Sequence, residues 1–347
     1  MKRFDKVTFP SKLGYYCFRV SAFLCLGTFP VWGQFVYQEN FTGTTAAGWS
    51  FTTDSSGTTP GPRLTANATP LSTDPEFGNS TIDSNGAGWL RLTSDTGNQS
   101  NAVALDTPIP SSANEIKVEF DFTMWEGNGA DGMTVFLWDA QETFDPGAFG
   151  GSLGYAQKSG GIDGLSGAYV GVGLDVWGNF SEDDEGRTGG YNASNPASPI
   201  NIPDSGGGAA LAANENQVVV RGPEDVGGGY NYLAGTGGNN YGDGTQDAIT
   251  SLNGTTENLA FNNYTARPDQ DAGDFRKLVL TLDANDLLSV AVQFGFGQTP
   301  TELFTTDLSD FTRPDQLRVG FAAATGGSTQ VHELRNLLVT ASASADS

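Results

Sequence analysis

Cysteine is confined to Cys17 and Cys25 of this 347-residue chain, and both fall within its first 33 residues. A mature form without that segment has no thiol, which excludes a disulfide framework, a cysteine nucleophile and a thiolate metal site. Its stability then comes from core burial and bound ions. Histidine occurs once, at His332, so a nucleophile–histidine–acid triad is a poor reading of the chain. Basic residues are scarce, with 17 Lys and Arg against 40 Asp and Glu; beyond residue 33 the counts are 12 and 39, a formal charge of −27. Phosphate backbones are bound by basic surfaces, so nucleic acid is excluded as a partner. Such acidity suits a calcium-rich or salty exterior, where ions screen self-repulsion, and it also fits a simple solubility device.

Long apolar runs are missing too. The stretch from Val20 to Trp32 follows Arg19 and falls short of the ~18 to 20 residues of a membrane span. With Lys2, Arg3, Lys6 and Lys12 ahead of it, and Val31 and Gly33 in the cleavage-site positions before Gln34, residues 1–33 read as a secretory signal peptide. The segment Ala22-Phe23-Leu24-Cys25 lacks the small residue expected just before a lipidated cysteine. The expectation is a protein that is secreted, extracellular or on the cell surface. From Ala341 to Ser347 no anchor or sorting signal is visible, and the chain reads either as complete or as the first module of something larger.

No long segment shows a helical period, and period-two alternation takes its place. Ile116, Val118, Phe120 and Phe122 share one face of the clearest run, and similar runs cover Met133 to Trp138, Ala168 to Trp177, Lys277 to Leu282, Leu288 to Phe294, Leu317 to Ala323 and Val331 to Thr340. Only sheet-on-sheet packing buries one face of every strand without helices, so residues 34–347 are expected to form one all-β domain, an antiparallel β-sandwich. The segments 185–216 and 222–273, rich in Gly and Asn, read as long loops; loops beyond about 12 to 15 residues are usually functional or disordered.

The most informative segment is Asp175-Val176-Trp177-Gly178-Asn179-Phe180-Ser181-Glu182-Asp183-Asp184. It directs oxygen ligands from positions 175, 177, 179 and 184 toward one point, as Ca2+ requires with its ~6 to 8 oxygens. By spacing alone a polar loop after a strand fits equally well. An EF-hand does not, since its glycine and glutamate positions hold Phe180 and Gly186.

Three further segments, with this one, resemble the legume-type (L-type) lectins: Ala130-Asp131-Gly132 leading into a strand, Gly150-Gly151-Ser152-Leu153-Gly154-Tyr155, and the run from Leu317 to Gly327 continuing to His332-Glu333-Leu334. The resemblance covers about residues 35–342 and is nearest to the bacterial branch of this concanavalin A-like jelly roll, through Gly167 to Asp175, Gly178 to Ser181, Glu185-Gly186-Arg187 and Val220-Arg221-Gly222. It implies a cis peptide before Asp131, whose carboxylate accepts sugar hydroxyls, a glycine N–H at Gly151 pointing at the sugar, and contacts from Gly327 and Ser328. It also implies calcium held by the Asp175 and Asp184 carboxylates, the Trp177 carbonyl and the Asn179 amide oxygen, with Asp183 as the substitute for Asp184. Asn179 would donate its amide to the sugar, and the Trp177 ring would form a platform for a pyranose. A calcium-dependent glycan-binding protein, acting in recognition or adhesion, is the implied function.

The chain departs from the family where a second, transition-metal site would need a glutamate and a histidine: it has Gly173 and Gly189. Calcium alone is expected, or calcium with a weaker second ion using Asp183 or Glu185. His332 reads as packing. The rival function is a glycoside hydrolase on the same sandwich, whose carboxyls lie ~5 to 5.5 Å apart. Its best candidates are Glu119, Asp121 and Glu126; their last spacing is too long, and alternation puts Glu119 and Asp121 on the solvent face of a strand. A third class is an adhesive or structural module without a sugar site.

Overall fold

A computed structural model of the chain describes residues 34–53, 60–67, 82–183, 185–188, 216–224, 229–236, 258–261 and 264–343. The signal-peptide reading of residues 1–33, Asp184, Gly189 and most of the two long loops lie outside them. Among the described residues sixteen strands form two antiparallel sheets, and no helix is long and apolar enough to cross a membrane.

The back sheet contains β1 (Phe35–Glu39), β3 (Arg63–Leu64), β4 (Leu90–Thr93), β7 (Asn114–Trp125), β12 (Arg276–Leu282), β13 (Leu287–Phe294), β14 (Thr301–Asp307) and β16 (Val331–Ala343). Their order is β14-β13-β12-β7-β16-β4-β3, with β1 also paired to β16. The front sheet contains β2 (Trp49–Thr53), β5 (Ser100–Leu105), β6 (Ile109–Pro110), β8 (Gly132–Asp139), β9 (Ala168–Asp175), β10 (Gln217–Arg221), β11 (Tyr232–Gly235) and β15 (Gln316–Ala324). Here the order is β11-β10-β9-β8-β15-β5-β2, with β6 on β15. Every run expected to be a strand is one, with β9 ending at Asp175, two residues before Trp177.

Between the sheets lies the main core, where Val118, Phe120 and Phe122 of β7 meet Val135 of β8, Val172 and Leu174 of β9 and Phe321 of β15. Phe120 and Phe321 touch edge to face at 4.8 Å between ring centres, and each such buried side chain contributes about 1.5–3 kcal/mol.

A second apolar cluster covers the other face of the front sheet and explains its glycines. Phe136 and Trp138 of β8, with Ala102, Ala104 and Ala322, pack under Leu153, Tyr155, Phe180 and Tyr230 from the loops. A Cβ on Gly171 would sit 2.7 Å from the Tyr155 ring, one on Gly173 2.5 Å from Phe180, and one on Gly320 2.3 Å from Phe136. The missing side chains at Gly171 and Gly173 admit rings of an overlying loop layer and that at Gly320 admits the Phe136 ring of neighbouring β8, so both faces of β8 and β9 are buried. This layer carries the site.

Two expectations fail. Strand β11 lies inside the segment 222–273 read as loop; it is a short edge strand, Tyr-Leu-Ala-Gly, bonded to β10 on one side. Asp121 is buried, held by Lys277 at 2.8 Å and by the Asn336 amide at 2.7 Å. Alternation points Asp121 away from the core correctly, but neighbouring polar side chains cover it. Glu119 is ion-paired with Lys117 at 2.8 Å. His332 packs as expected: it is fully buried, its Nδ1 lies 2.5 Å from Thr93 Oγ1, and burial pushes its pKa down to about 3.

Candidate functional site

Four turns converge at one end of the front sheet: 126–131 between β7 and β8, the 3₁₀ turn Gly150–Ser152, the 3₁₀ turn Asn179–Ser181 after β9, and 325–330 between β15 and β16. Asp131 is their meeting point. The Ala130–Asp131 peptide is cis. The Asp131 N–H donates to the Ala324 carbonyl at 3.0 Å, and its own carbonyl accepts from the Val176 and Trp177 N–H groups, each at 3.1 Å. The main chain therefore joins β8, β9 and β15 without using the carboxylate. That carboxylate is only 6% exposed, and its Oδ2 is buried without a hydrogen-bond partner. Gly326 faces it, since a Cβ on this glycine would lie 3.1 Å from Oδ2.

Asp175 is fully buried at the end of β9, where its two oxygens accept the Gly178 and Phe180 N–H groups, each at 2.9 Å. These bonds shape the turn after the strand, and Gly178 takes the left-handed φ of 101° that the turn needs. Burial pushes the Asp175 pKa up to about 8, against the pull of those two amides, with Asp131 and Glu182 adding repulsion. Burial also raises Asp131 to about 7, opposed by Lys158 and Arg187 and assisted by Glu185.

Asn179 lies beside Asp175 with its Oδ1 buried and unpartnered. A Cβ on Gly151 would approach the Asn179 Cβ to 2.3 Å, so glycine at 151 is required by the packing of the two 3₁₀ turns. Gly151 is buried, whereas Gly327 is exposed, with nothing within 4 Å of where its side chain would be. Ser328 is half-buried and bonded to Asn128. Trp177 is half-buried and belongs to neither apolar cluster. Asp183 is half-buried. Asp131, Gly151, Asp175, Trp177 and Asn179 are thus brought together, with Gly326 in place of Gly327 against the carboxylate.

The donor set fits a hard cation. Two oxygens at the junction, Asp131 Oδ2 and Asn179 Oδ1, are buried with no hydrogen-bond partner, and the Asp175 carboxylate beside them is enclosed, its pKa raised by burial. Among the described residues no three of Asp, Glu, His and Cys come close enough to hold a metal by themselves. Of the expected ligands, one is an amide oxygen, one a main-chain carbonyl, and Asp184 lies outside the described residues. At Gly173 the space of a family glutamate is filled by Phe180 and Leu153.

Sequence reasoning gave no role to the cations that hold this loop layer. Arg221, at the end of β10, is fully buried and donates to four main-chain carbonyls: Phe180 at 2.5 Å, Tyr230 at 2.6 Å, Glu182 at 2.7 Å and Thr188 at 3.0 Å. Its guanidinium lies 5.2 Å from the Phe180 ring centre. An arginine closing the apolar run Val218-Val219-Val220 was the available signal. Arg187 is buried against Ser152 Oγ at 3.1 Å, and Glu185 joins it to Lys158. We expect Arg221→Met, which keeps the stem and removes the donors, to lower unfolding free energy in urea by about 2–3 kcal/mol, since several carbonyls lose partners and rehydrate only in part. It should also speed proteolysis within residues 179–188. An unchanged denaturation midpoint would refute this account.

No family model matches the sequence, and no curated protein matches it. The likeness is structural. The winged bean acidic lectin complexed with methyl-α-D-galactose superposes with a TM-score of 0.50 at 14% identity, over 89% of this chain and 99% of that one. Peanut lectin with a 9mer peptide gives 0.48 at 17% identity, covering 89% and 98%. The exoplasmic/lumenal domain of VIP36 in its Ca2+/Man-bound form gives 0.46 at 11% identity, covering 88% of each chain. At such identities the likeness concerns architecture, and the winged bean superposition carries it: this chain has the fold of the L-type lectins.

Proposed function

We propose that this protein is a secreted, calcium-dependent carbohydrate-binding protein that captures glycans in recognition or adhesion and carries out no chemistry. One observation carries the reading: a buried aspartate, Asp131, presents an unpartnered oxygen at a junction of four turns, next to Gly326 and close to the oxygen-rich Asp175–Asn179 turn. A carboxylate oxygen left without donors inside a protein is costly unless a ligand supplies them. Sugar hydroxyls supply such donors, and an ion on Asp175, Asn179 and the Trp177 carbonyl, with Asp184 or Asp183, would neutralise the charge. The bound calcium would supply fixed positive charge, and this chain's own residues would supply the directional hydrogen bonds.

The hydrolase alternative is weakened at two of its three acids: Asp121 and Glu119 sit on the outer face of the back sheet, each paired with a lysine, which leaves Glu126, in the turn after β7, without either as a paired carboxyl at the junction.

A glycan array probed with residues 34–347 tests the proposal. Binding is expected in millimolar calcium, with at least tenfold weaker signal after chelation and full recovery when calcium is restored. Binding that ignores chelator, or none to any glycan, overturns it. The secreted location is tested separately, by sequencing the N-terminus of the exported protein; Gln34 is expected as its first residue.

A further inference from the structure

The turn 325–330 is held from both sides. The Asn98 N–H donates to the Gly326 carbonyl at 3.0 Å, the Asn128 N–H to the Thr329 carbonyl at 3.0 Å, and the Thr325 N–H to the Gln99 carbonyl at 3.0 Å. These main-chain bonds set the turn's path. The side chain of Asn128, exposed and three residues before Asp131, adds something different. Its Oδ1 accepts the Thr329 N–H at 2.7 Å, and its Nδ2 donates to Ser328 Oγ at 2.9 Å.

The orientation of that amide follows from its partners. A backbone N–H is always a donor, so the oxygen of Asn128 must face Thr329 and the nitrogen must face Ser328. Ser328 Oγ is therefore an acceptor on its inner side, which leaves its O–H to point elsewhere as a donor. Two residues away, at Gly326, Asp131 offers the opposite polarity, an unpartnered acceptor.

We propose that Asn128 is a specificity-determining residue of this site: it fixes the Ser328 hydroxyl as an outward donor across from the Asp131 acceptor. The pair then selects a neutral pyranose that gives a hydroxyl hydrogen to Asp131 and presents a neighbouring oxygen, hydroxyl or N-acetyl carbonyl, to Ser328. This rests on the lectin reading above.

The test uses Asn128→Asp and Ser328→Ala, singly and together, titrated by calorimetry in calcium with glucose, mannose, galactose, fucose and N-acetylgalactosamine. Aspartate at 128 keeps an acceptor for Thr329 but accepts from Ser328, which turns the serine hydrogen inward. Each single variant should weaken the best-bound sugar about tenfold, and the double variant should also lose about tenfold, because both changes remove one donor. Calcium affinity and thermal midpoint should be unchanged. Losses that multiply to about a hundredfold in the double variant, or less than a twofold loss in Ser328→Ala, overturn the assignment. Ser328→Ala decides alone if Asn128→Asp does not fold, since it truncates a turn whose main-chain bonds remain. A wild-type protein that binds none of the five sugars overturns the lectin reading itself, a result distinct from either of these.

Discussion

Asp131→Asn is expected to weaken saccharide binding by about a hundredfold or more while leaving the fold intact. The change keeps the size of the side chain and one oxygen, but it removes the charge and replaces one acceptor by a donor that clashes with a sugar O–H. Hydrogen bonds to a charged acceptor are worth about 1.5–3 kcal/mol each, and every 1.4 kcal/mol is about tenfold in affinity, so losing two such bonds reaches the hundredfold range. Folding is insulated because the three hydrogen bonds that Asp131 itself makes, with Ala324, Val176 and Trp177, use only its main-chain atoms. Indeed the chelated variant should be no less stable than the chelated wild type, since a buried carboxylate with an unpartnered oxygen is exchanged for a neutral amide. Calorimetry with the best-bound glycan and a thermal melt in chelator check the two halves. Retained affinity would mean that Asp131 does not face the ligand; a lowered melting temperature would mean that its carboxylate has a structural partner the geometry does not show.

The architecture was legible because alternation is a local signal that survives in a single sequence: Ile116 to Phe122 and Leu317 to Ala323 name their own buried faces, and the structure puts those faces between the sheets. Spacing alone pointed Asp175 and Asn179 at one place, but that Asp131 and Gly151 join them was legible only through motif resemblance, because they lie on separate turns that no spacing rule connects. What stayed hidden depended on partners distant in the chain. Arg221 gave no sign that it would meet carbonyls from residues 180 to 230, and Asp121 alternated as a surface residue while Lys277 and Asn336 enclosed it. Gly171, Gly173 and Gly320 fall within runs read as strands, but nothing local shows that each makes room for a ring from elsewhere in the chain. Strand β11 was missed because pairing on one edge needs little alternation.

Glu333→Gln should be the most destabilising change outside the junction of turns around Asp131, at about 3–5 kcal/mol near neutral pH. The Glu333 carboxylate is fully buried on β16, and it accepts from Arg91 Nε at 2.9 Å, Arg267 Nε at 2.6 Å, Arg267 Nη2 at 2.9 Å and Trp125 Nε1 at 3.1 Å. Arg267 also grips Asp83 through two bonds of 3.0 and 3.1 Å. The network therefore ties β4, β7 and β16 to the segments around residues 83 and 267, and Trp125 ends the strand that leads into the Asp131 turn. Glutamine leaves two guanidinium groups without their shared anion in a buried place, and breaking such a set from one side is costly. Burial by itself would raise the Glu333 pKa, but Arg267 and Arg91 outweigh it and hold the group at about 2, below its ordinary 4.5. A carboxyl whose folded pKa is depressed contributes stability that is complete above about pH 4.5 and is lost as pH falls toward 2. The gap between wild type and Glu333→Gln, measured by urea unfolding at a series of pH values, should be constant from pH 7 to about 5 and close in stronger acid. His332, held neutral down to about pH 3 by burial, adds its own loss of stability between about pH 6.5 and 3, but it does so in both proteins and cancels in the difference. A gap that persists unchanged at pH 2.5, or one below 1 kcal/mol at pH 7, would show that the arginines are not held by this carboxylate.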